Sequence, residues 1–393
     1  MLRQLFTGWA VGRMYLRGWR TRARILVIES DDWGCIRTSS PEAYERLVGM
    51  GYAMERSPYS ADARETEEDL DRLYEVLDSV RDRRGRPACF TAAMVMANPD
   101  FARIRESGFR EYFYEPVGAA MAKDPLRRGV AERWAEGCRR KLFVPQRHCR
   151  EHIRWWQWLE ALRAGSREAL ATFEMNMCGV PLAVSREGRG YFAPPYQDEQ
   201  TLARYGVNLE NLVRDGAALF EQQFGFKSLS AVAPGYHWTD GVEKAWWADG
   251  VRYVQTGPLQ MYPTARGMRR RAHFLGQRRA VGGLYLLRNC TFEPSTVEID
   301  WLGRCLRAVA RAFRFGKPAV VCAHRANFVG SIVPANRDRG LNLLGQLLRA
   351  VVKRWPDVNF LSSPELGCLI ERGAGDPAAV DEADVWQEAL RPA

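Results

Sequence analysis

The feature that most constrains this chain is an alternation of short apolar or β-branched runs with longer stretches of helical periodicity. Ile25-Leu26-Val27-Ile28 reads as a buried strand. Residues 41–50 then read as a helix, with Ser40 as its cap and Pro41 in the first turn. Leu70, Leu73, Val76, Leu77 and Val80 recur at the spacing of a helix face over residues 66–83. Residues 88–91, 228–232, 251–255, 318–323 and 358–361 predict further strands, and 150–164, 198–224, 297–313 and 341–355 further helices. Strands that alternate with helices build a parallel α/β sheet, open or closed into a barrel. Such a sheet places its functional side chains at the carboxyl ends of strands.

Residues able to hold a metal stand at those ends. Asp31 and Asp32 close the first apolar run, and His324 closes a late one. His148 and His152 form an H-x-x-x-H pair, which on a helix shares one face. The chain has only five histidines, and three of them fall at these points. Nitrogen and carboxylate ligands in threes are how proteins hold a catalytic divalent ion, zinc foremost, with a position left for water. Each motif alone has a plain structural reading: an Asp pair caps a helix, and a histidine after a strand satisfies a local hydrogen bond. Together they point to one centre. The Asp doublet has a further use, since one carboxylate can bind the ion while its neighbour takes a proton.

Composition narrows the partners. Lys and Arg number 57 against 47 Asp and Glu, a net charge of +10, which suits an anionic glycan, a nucleotide-linked sugar or a membrane surface. No nucleic-acid motif is present, and runs such as Arg269-Arg270-Arg271 read as solvated faces. The nine cysteines lack regular spacing and read as reduced thiols. Residues 1–24 are basic and carry Leu2, Leu5, Phe6, Trp9 and Trp19. They hold no apolar run long enough for a secretion signal or a membrane span. Two readings stand for this segment: an amphipathic helix on an anionic membrane, or a helix packed on the domain. The expected location is cytoplasmic, with peripheral attachment to the inner membrane under the first reading. The last stretch, 373–393, reads as an acidic tail.

The order of these motifs resembles the polysaccharide deacetylase family, the carbohydrate esterases with a nodulation-type deacetylase domain. Val27-Ile28-Glu29-Ser30-Asp31-Asp32-Trp33-Gly34 is similar to its first motif, and Arg147-His148-Cys149-Arg150-Glu151-His152 to its second. Ala233-Pro234-Gly235-Tyr236 is similar to its third and Val321-Cys322-Ala323-His324 to its last. The resemblance runs over residues 24–371 in short islands. It implies a distorted (β/α) barrel over 25–372, a carbohydrate substrate, and a metal held by Asp32, His148 and His152. It implies Asp31 as general base, His324 as general acid, and the backbone N–H of Tyr236 as an oxyanion donor. Trp33, Arg37, Arg150, Trp238, Arg325 and Asn327 are expected at the substrate.

The chain departs from the family pattern in three places. The distance from Asp32 to His148 is long, so residues 51–140 are expected to hold an inserted cap. The third-motif arginine, which holds the base, is Ala233 here, with Arg37, Arg150 or Arg325 as candidate replacements. The fourth-motif acid, which pairs with the last histidine, has Glu293 and Asp300 as candidates. Besides N-deacetylation of a sugar or glycan precursor, an anionic or lipid-linked one included, two readings remain. One is hydrolysis of another C–N amide on the same fold. The other is a catalytically silent, glycan-binding barrel.

Overall fold

The computed structural model describes Gly12, residues 14–380 and Val385. Most of the basic segment at 1–11 and of the acidic tail beyond 380 lies outside the described residues. Among the described residues, no helix is long and apolar enough to cross a membrane.

The chain forms strands β1 (Ile25–Trp33), β2 (Phe90–Val95), β3 (Ala97–Pro99), β4 (Tyr114–Pro116), β5 (Phe143–Cys149), β6 (Ser230–Val232) and β7 (Tyr253–Thr256). They are followed by β8 (Leu259–Thr264), β9 (Gly267–Ala272), β10 (Leu284–Leu287), β11 (Cys290–Thr291), β12 (Ala319–His324) and β13 (Asn359–Phe360). Nine of these make one parallel sheet in the order β10-β7-β6-β5-β2-β1-β12-β11, with β13 also on β1. All nine residues of β1 are buried, as expected of a central strand in a parallel sheet. Helices such as Trp301–Arg314 and Pro334–Arg354 pack Cys305, Val309, Leu344 and Leu348 onto it.

The sheet is curled but not closed, which corrects the expected full barrel. Its edge strands, β10 and β11, do not pair with each other, yet only Arg288 and Asn289 separate them in the chain. The Arg288 N–H donates to Thr256 beside one edge, and the Asn289 N–H to Val320 beside the other. The ends of the sheet are therefore joined by covalent chain, because β11 has two residues and too short a ladder to seal the gap. Arg288 stands in that gap with its side chain aimed inward.

Several expectations shift. The stretch 51–140 is not simply a cap: the helix Glu67–Asp78 and β2 belong to the central frame, β2 standing between β1 and β5. The β3–β4 pair and the helices Phe101–Glu106, Val117–Lys123 and Val130–Arg139 fill the rest. The expected single helix over 198–224 is two, Glu199–Arg204 and Leu209–Phe224, parted near Gly206 at φ +66°. The H-x-x-x-H pair is not helical. His148 lies in β5 and His152 in the turn beyond it, before the helix Trp155–Arg163.

Candidate metal centre

Asp31 and Asp32 end β1, and a strand alone would send two adjacent side chains to opposite faces. Here the ladder between β1 and β2 breaks register between Ser30 and Trp33, and Asp32 takes φ +75°. Such a left-handed aspartate costs about 1–3 kcal/mol and persists where its surroundings hold it. The irregularity aims the two carboxylates at different partners. Gly34 follows at φ +84°, where a Cβ would meet the Val95 carbonyl at 2.8 Å, so the turn beneath the site requires glycine.

Asp32, His148 and His152 converge, with one ligand atom from each within 4.8 Å of the others. The Asp32 Oδ1 lies 3.3 Å from His148 Nε2 and 3.6 Å from His152 Nε2. His148 Nδ1 sits 2.8 Å from the Val232 carbonyl. That contact orients the ring so that Nε2 faces Asp32. Burial pushes His152 down to about 3, so it is neutral at pH 7. Asp32 Oδ1 is buried and receives no hydrogen bond. Burial alone would raise the pKa of Asp32, but the Arg37 guanidinium beside it holds it well below the carboxylate range. Asp32 Oδ1 and the Nε2 atoms of both histidines thus converge on one buried point. A cation relieves that arrangement, and two nitrogens with one oxygen suit a divalent ion.

Arg37 fixes the other oxygen of Asp32. Its Nη2 donates to Asp32 Oδ2 at 2.8 Å, and its Nε lies 3.1 Å from Asp62. The guanidinium is stacked on the Phe192 ring, 3.4 Å from its centroid, and lies over Tyr59 at 4.4 Å. Phe192 also stacks on His152, with ring centres 4.2 Å apart. A recess lined by Arg37, Thr38, Tyr59, Val180, Pro181 and Phe192 opens beside these groups.

Asp31 has a different environment. Arg288 grips it with both terminal nitrogens, Nη1 to Oδ2 at 2.6 Å and Nη2 to Oδ1 at 2.7 Å. The Arg288 Nε binds buried Glu29 in the same strand. Burial would raise the pKa of Asp31, but this fork outweighs it and keeps the carboxylate ionised. Arg288 does for Asp31 what the absent third-motif arginine was expected to do. It comes from the sheet gap rather than from Arg37, Arg150 or Arg325. Its signal in the sequence was its place directly after the apolar run Leu284–Leu287, at a strand end.

His324 ends β12 opposite Asp31 in register. Its Nδ1 lies 2.7 Å from Glu293 Oε1, and Asn327 donates to Glu293 Oε2 at 2.7 Å. Burial would lower the pKa of His324, yet Glu293 and the two aspartates raise it to about 9. Glu293 is therefore the acid beside the last histidine. Asp300 instead caps the exposed start of the helix Trp301–Arg314. The Tyr59 ring stands edge-on to His324 at 5.6 Å. Tyr59 was not singled out for this place by the sequence, since it lies in a single short turn, Pro58–Ala61, without periodicity.

Other expectations are corrected. The N–H of Tyr236 donates to the Ala233 carbonyl at 2.9 Å within a tight turn, so it is not free for an oxyanion. Four residues expected at the substrate are buried in the core. Trp33 packs edge-on against Phe143 and Trp238 donates to Glu243 at 2.7 Å. Arg325 pairs with Asp62 and Glu65, and Asn327 orients Glu293. Arg150 is spent on Glu151 and Asp215, away from the recess. Of the expected substrate set, Arg37 alone lines the recess.

No family model matches the chain, and no curated protein matches it. Among solved structures it is similar to one from Mycobacterium smegmatis described as a polysaccharide deacetylase. The identity is 13% and the TM-score 0.40, over 91% of this chain and 93% of that one. It is also similar to the α-amylase AmyC from Thermotoga maritima, at 11% identity and TM-score 0.38 over 88% and 74% of the two chains. A GH57-type branching enzyme from Pyrococcus horikoshii follows at 11% and 0.34, over 87% and 69%. These likenesses concern the path of the chain and assign no role to any residue.

Proposed function

We propose that this chain is a metal-dependent hydrolase that removes an N-acetyl group from a sugar or glycan precursor. The observation that carries the reading is the meeting of three units in one centre. They are the Asp32–His148–His152 cluster, Asp31 gripped by Arg288, and His324 paired with Glu293. A divalent ion, zinc by its ligand chemistry, would supply an acidified water and a positive charge opposite the developing oxyanion.

The chain's own residues do the rest. Asp31 is ionised and takes the proton of the attacking water, with Arg288 fixing its orientation. His324 is protonated at neutral pH and gives its proton to the departing nitrogen, which leaves as a neutral amine. Glu293 holds the imidazolium in place through Nδ1, which leaves Nε2 as the donor. Arg37 keeps Asp32 turned so that only Oδ1 faces the imidazoles. Tyr59 and Phe192 flank Arg37 at the small recess beside the centre.

The acid and base pairs oppose the silent-barrel reading, because buried ion pairs of this kind stabilise little by themselves. Assay of the metal-replete full chain against N-acetylated sugars and glycans tests the reading by acetate release, with cyclic ureides and ammonia release as the contrast. Acetate is the expected product. Ammonia from ureides alone would move the activity to another amide, and no hydrolysis across both panels would remove the enzymatic reading.

A further inference from the structure

At the amino ends of the strands, opposite the metal centre, the surface has another character. A groove of about 1030 Å³ is lined by Arg24, Arg307, Arg311, Arg314 and Arg354, with Tyr15, Leu16, Phe313, Phe315 and Trp355 among them. Its position follows from the topology. Arg24 precedes β1, Phe315 precedes β12 and Trp355 precedes β13. In a parallel sheet these are the ends away from Asp31, Asp32, His148 and His324.

The charges there are largely unneutralised. Arg24 pairs with Asp357, and Arg307 reaches Asp300 only at 3.9 Å. Among the described residues no carboxylate pairs with Arg311, Arg314 or Arg354, all of which are exposed. Arg311 serves the Tyr15 side chain, and Arg354 lies 4.9 Å from the Trp355 ring. Beside them Leu16 is 66% exposed and Phe315 38%. The helix Trp301–Arg314 delivers three of these arginines from one face while its other face packs Cys305, Val309 and Ala312 inward. Residues 1–11, which lead into Gly12 at the groove, repeat the same chemistry with Leu2, Arg3, Leu5, Phe6 and Trp9.

We propose that this groove is a docking surface for an anionic lipid bilayer. Arginines attract acidic headgroups, and exposed Leu16 and Phe315 enter the acyl boundary, which a nucleic-acid backbone would not require. The inference stands independently of the hydrolase reading. It holds the protein by the back of the sheet and leaves the metal centre facing the aqueous side.

Co-sedimentation of the full chain with vesicles tests it. Phosphatidylcholine doped with phosphatidylglycerol is compared with phosphatidylcholine alone, at low and high salt. Strong binding to the acidic vesicles, weakened by salt, is expected. The combined variant R307E/R311E/R314E, all on an exposed helix face, should bind at least about tenfold more weakly. Phe315→Ser should weaken binding while preserving its salt dependence, and an unchanged thermal melt shows that both variants fold. Equal binding to neutral vesicles overturns the proposal, as does tighter capture by duplex DNA or RNA than by acidic vesicles. Wild-type binding by the triple variant also overturns it, even if deletion of residues 1–11 releases the protein, because the segment alone would then carry the attachment.

Discussion

The two ends of the sheet use the same side chain in opposite ways. At the carboxyl ends, Arg288 and Arg325 are buried and Arg37 is partly so, and each is locked between two carboxylates. At the amino ends, Arg311, Arg314 and Arg354 stand exposed and, among the described residues, without acidic partners. A desolvated guanidinium must be paired, and its fork then fixes the geometry of what it holds. An exposed one fixes nothing and supplies long-range attraction instead. Charge at one end builds a rigid centre; at the other it makes a field.

Substitutions sharpen that contrast, beginning with those of largest effect. Asp31→Asn keeps the size of the side chain and one of its two acceptors for Arg288 but removes the base. Turnover should fall by about 10²–10⁴, the usual weight of a general base, with metal content unchanged by elemental analysis. A mutant of normal activity would reject the assignment. His148→Ala should release the ion outright, and unchanged metal content would count against that ligand.

Arg288→Met strands Glu29 and Asp31 as buried charges. Loss of about 3–5 kcal/mol in denaturant unfolding is expected, together with loss of activity. A smaller effect belongs to Glu293→Gln. His324 has a raised pKa of about 9, so its acid form is present below that pH and lost as pH rises through it. The wild-type rate should decline on the alkaline side near that value. Removing the Glu293 charge should move the decline to lower pH, and an unmoved limb would show that another group sets it. Smallest of all is Arg314→Ala at the far end of the sheet. It should alter stability by no more than about 0.5 kcal/mol, and a larger change would mean that this arginine is structural after all.

How much of this was legible in the sequence depended on periodicity and on residue type. Strands β1 and β12 announce themselves as apolar runs, and the helix Glu67–Asp78 shows its apolar stripe. Strand β5 did not, because Phe143-Val144-Pro145-Gln146-Arg147-His148-Cys149 is half polar although wholly buried. Its polar side chains reach partners in distant chain: Gln146 meets Ser228 and Ser230, Arg147 meets Asp249 through Nη1, and His148 meets Val232. No local pattern can carry that information. For the same reason Asp32, His148 and His152 were recognisable by type, while Arg288 was not, since its role comes from a gap between two sheet edges that are neighbours in the chain. Trp33 and Trp238 misled in the other direction. An aromatic next to a motif is as readily a core residue, and both are fully buried.

The central claim is that one ion sits among Asp32, His148 and His152. Crystals of the full chain soaked in zinc and recorded at the zinc absorption edge would test it most directly. The account predicts one strong anomalous peak about 2.0–2.2 Å from Asp32 Oδ1 and from Nε2 of each histidine. An empty centre in zinc-loaded crystals, or a peak held by other residues, would contradict it.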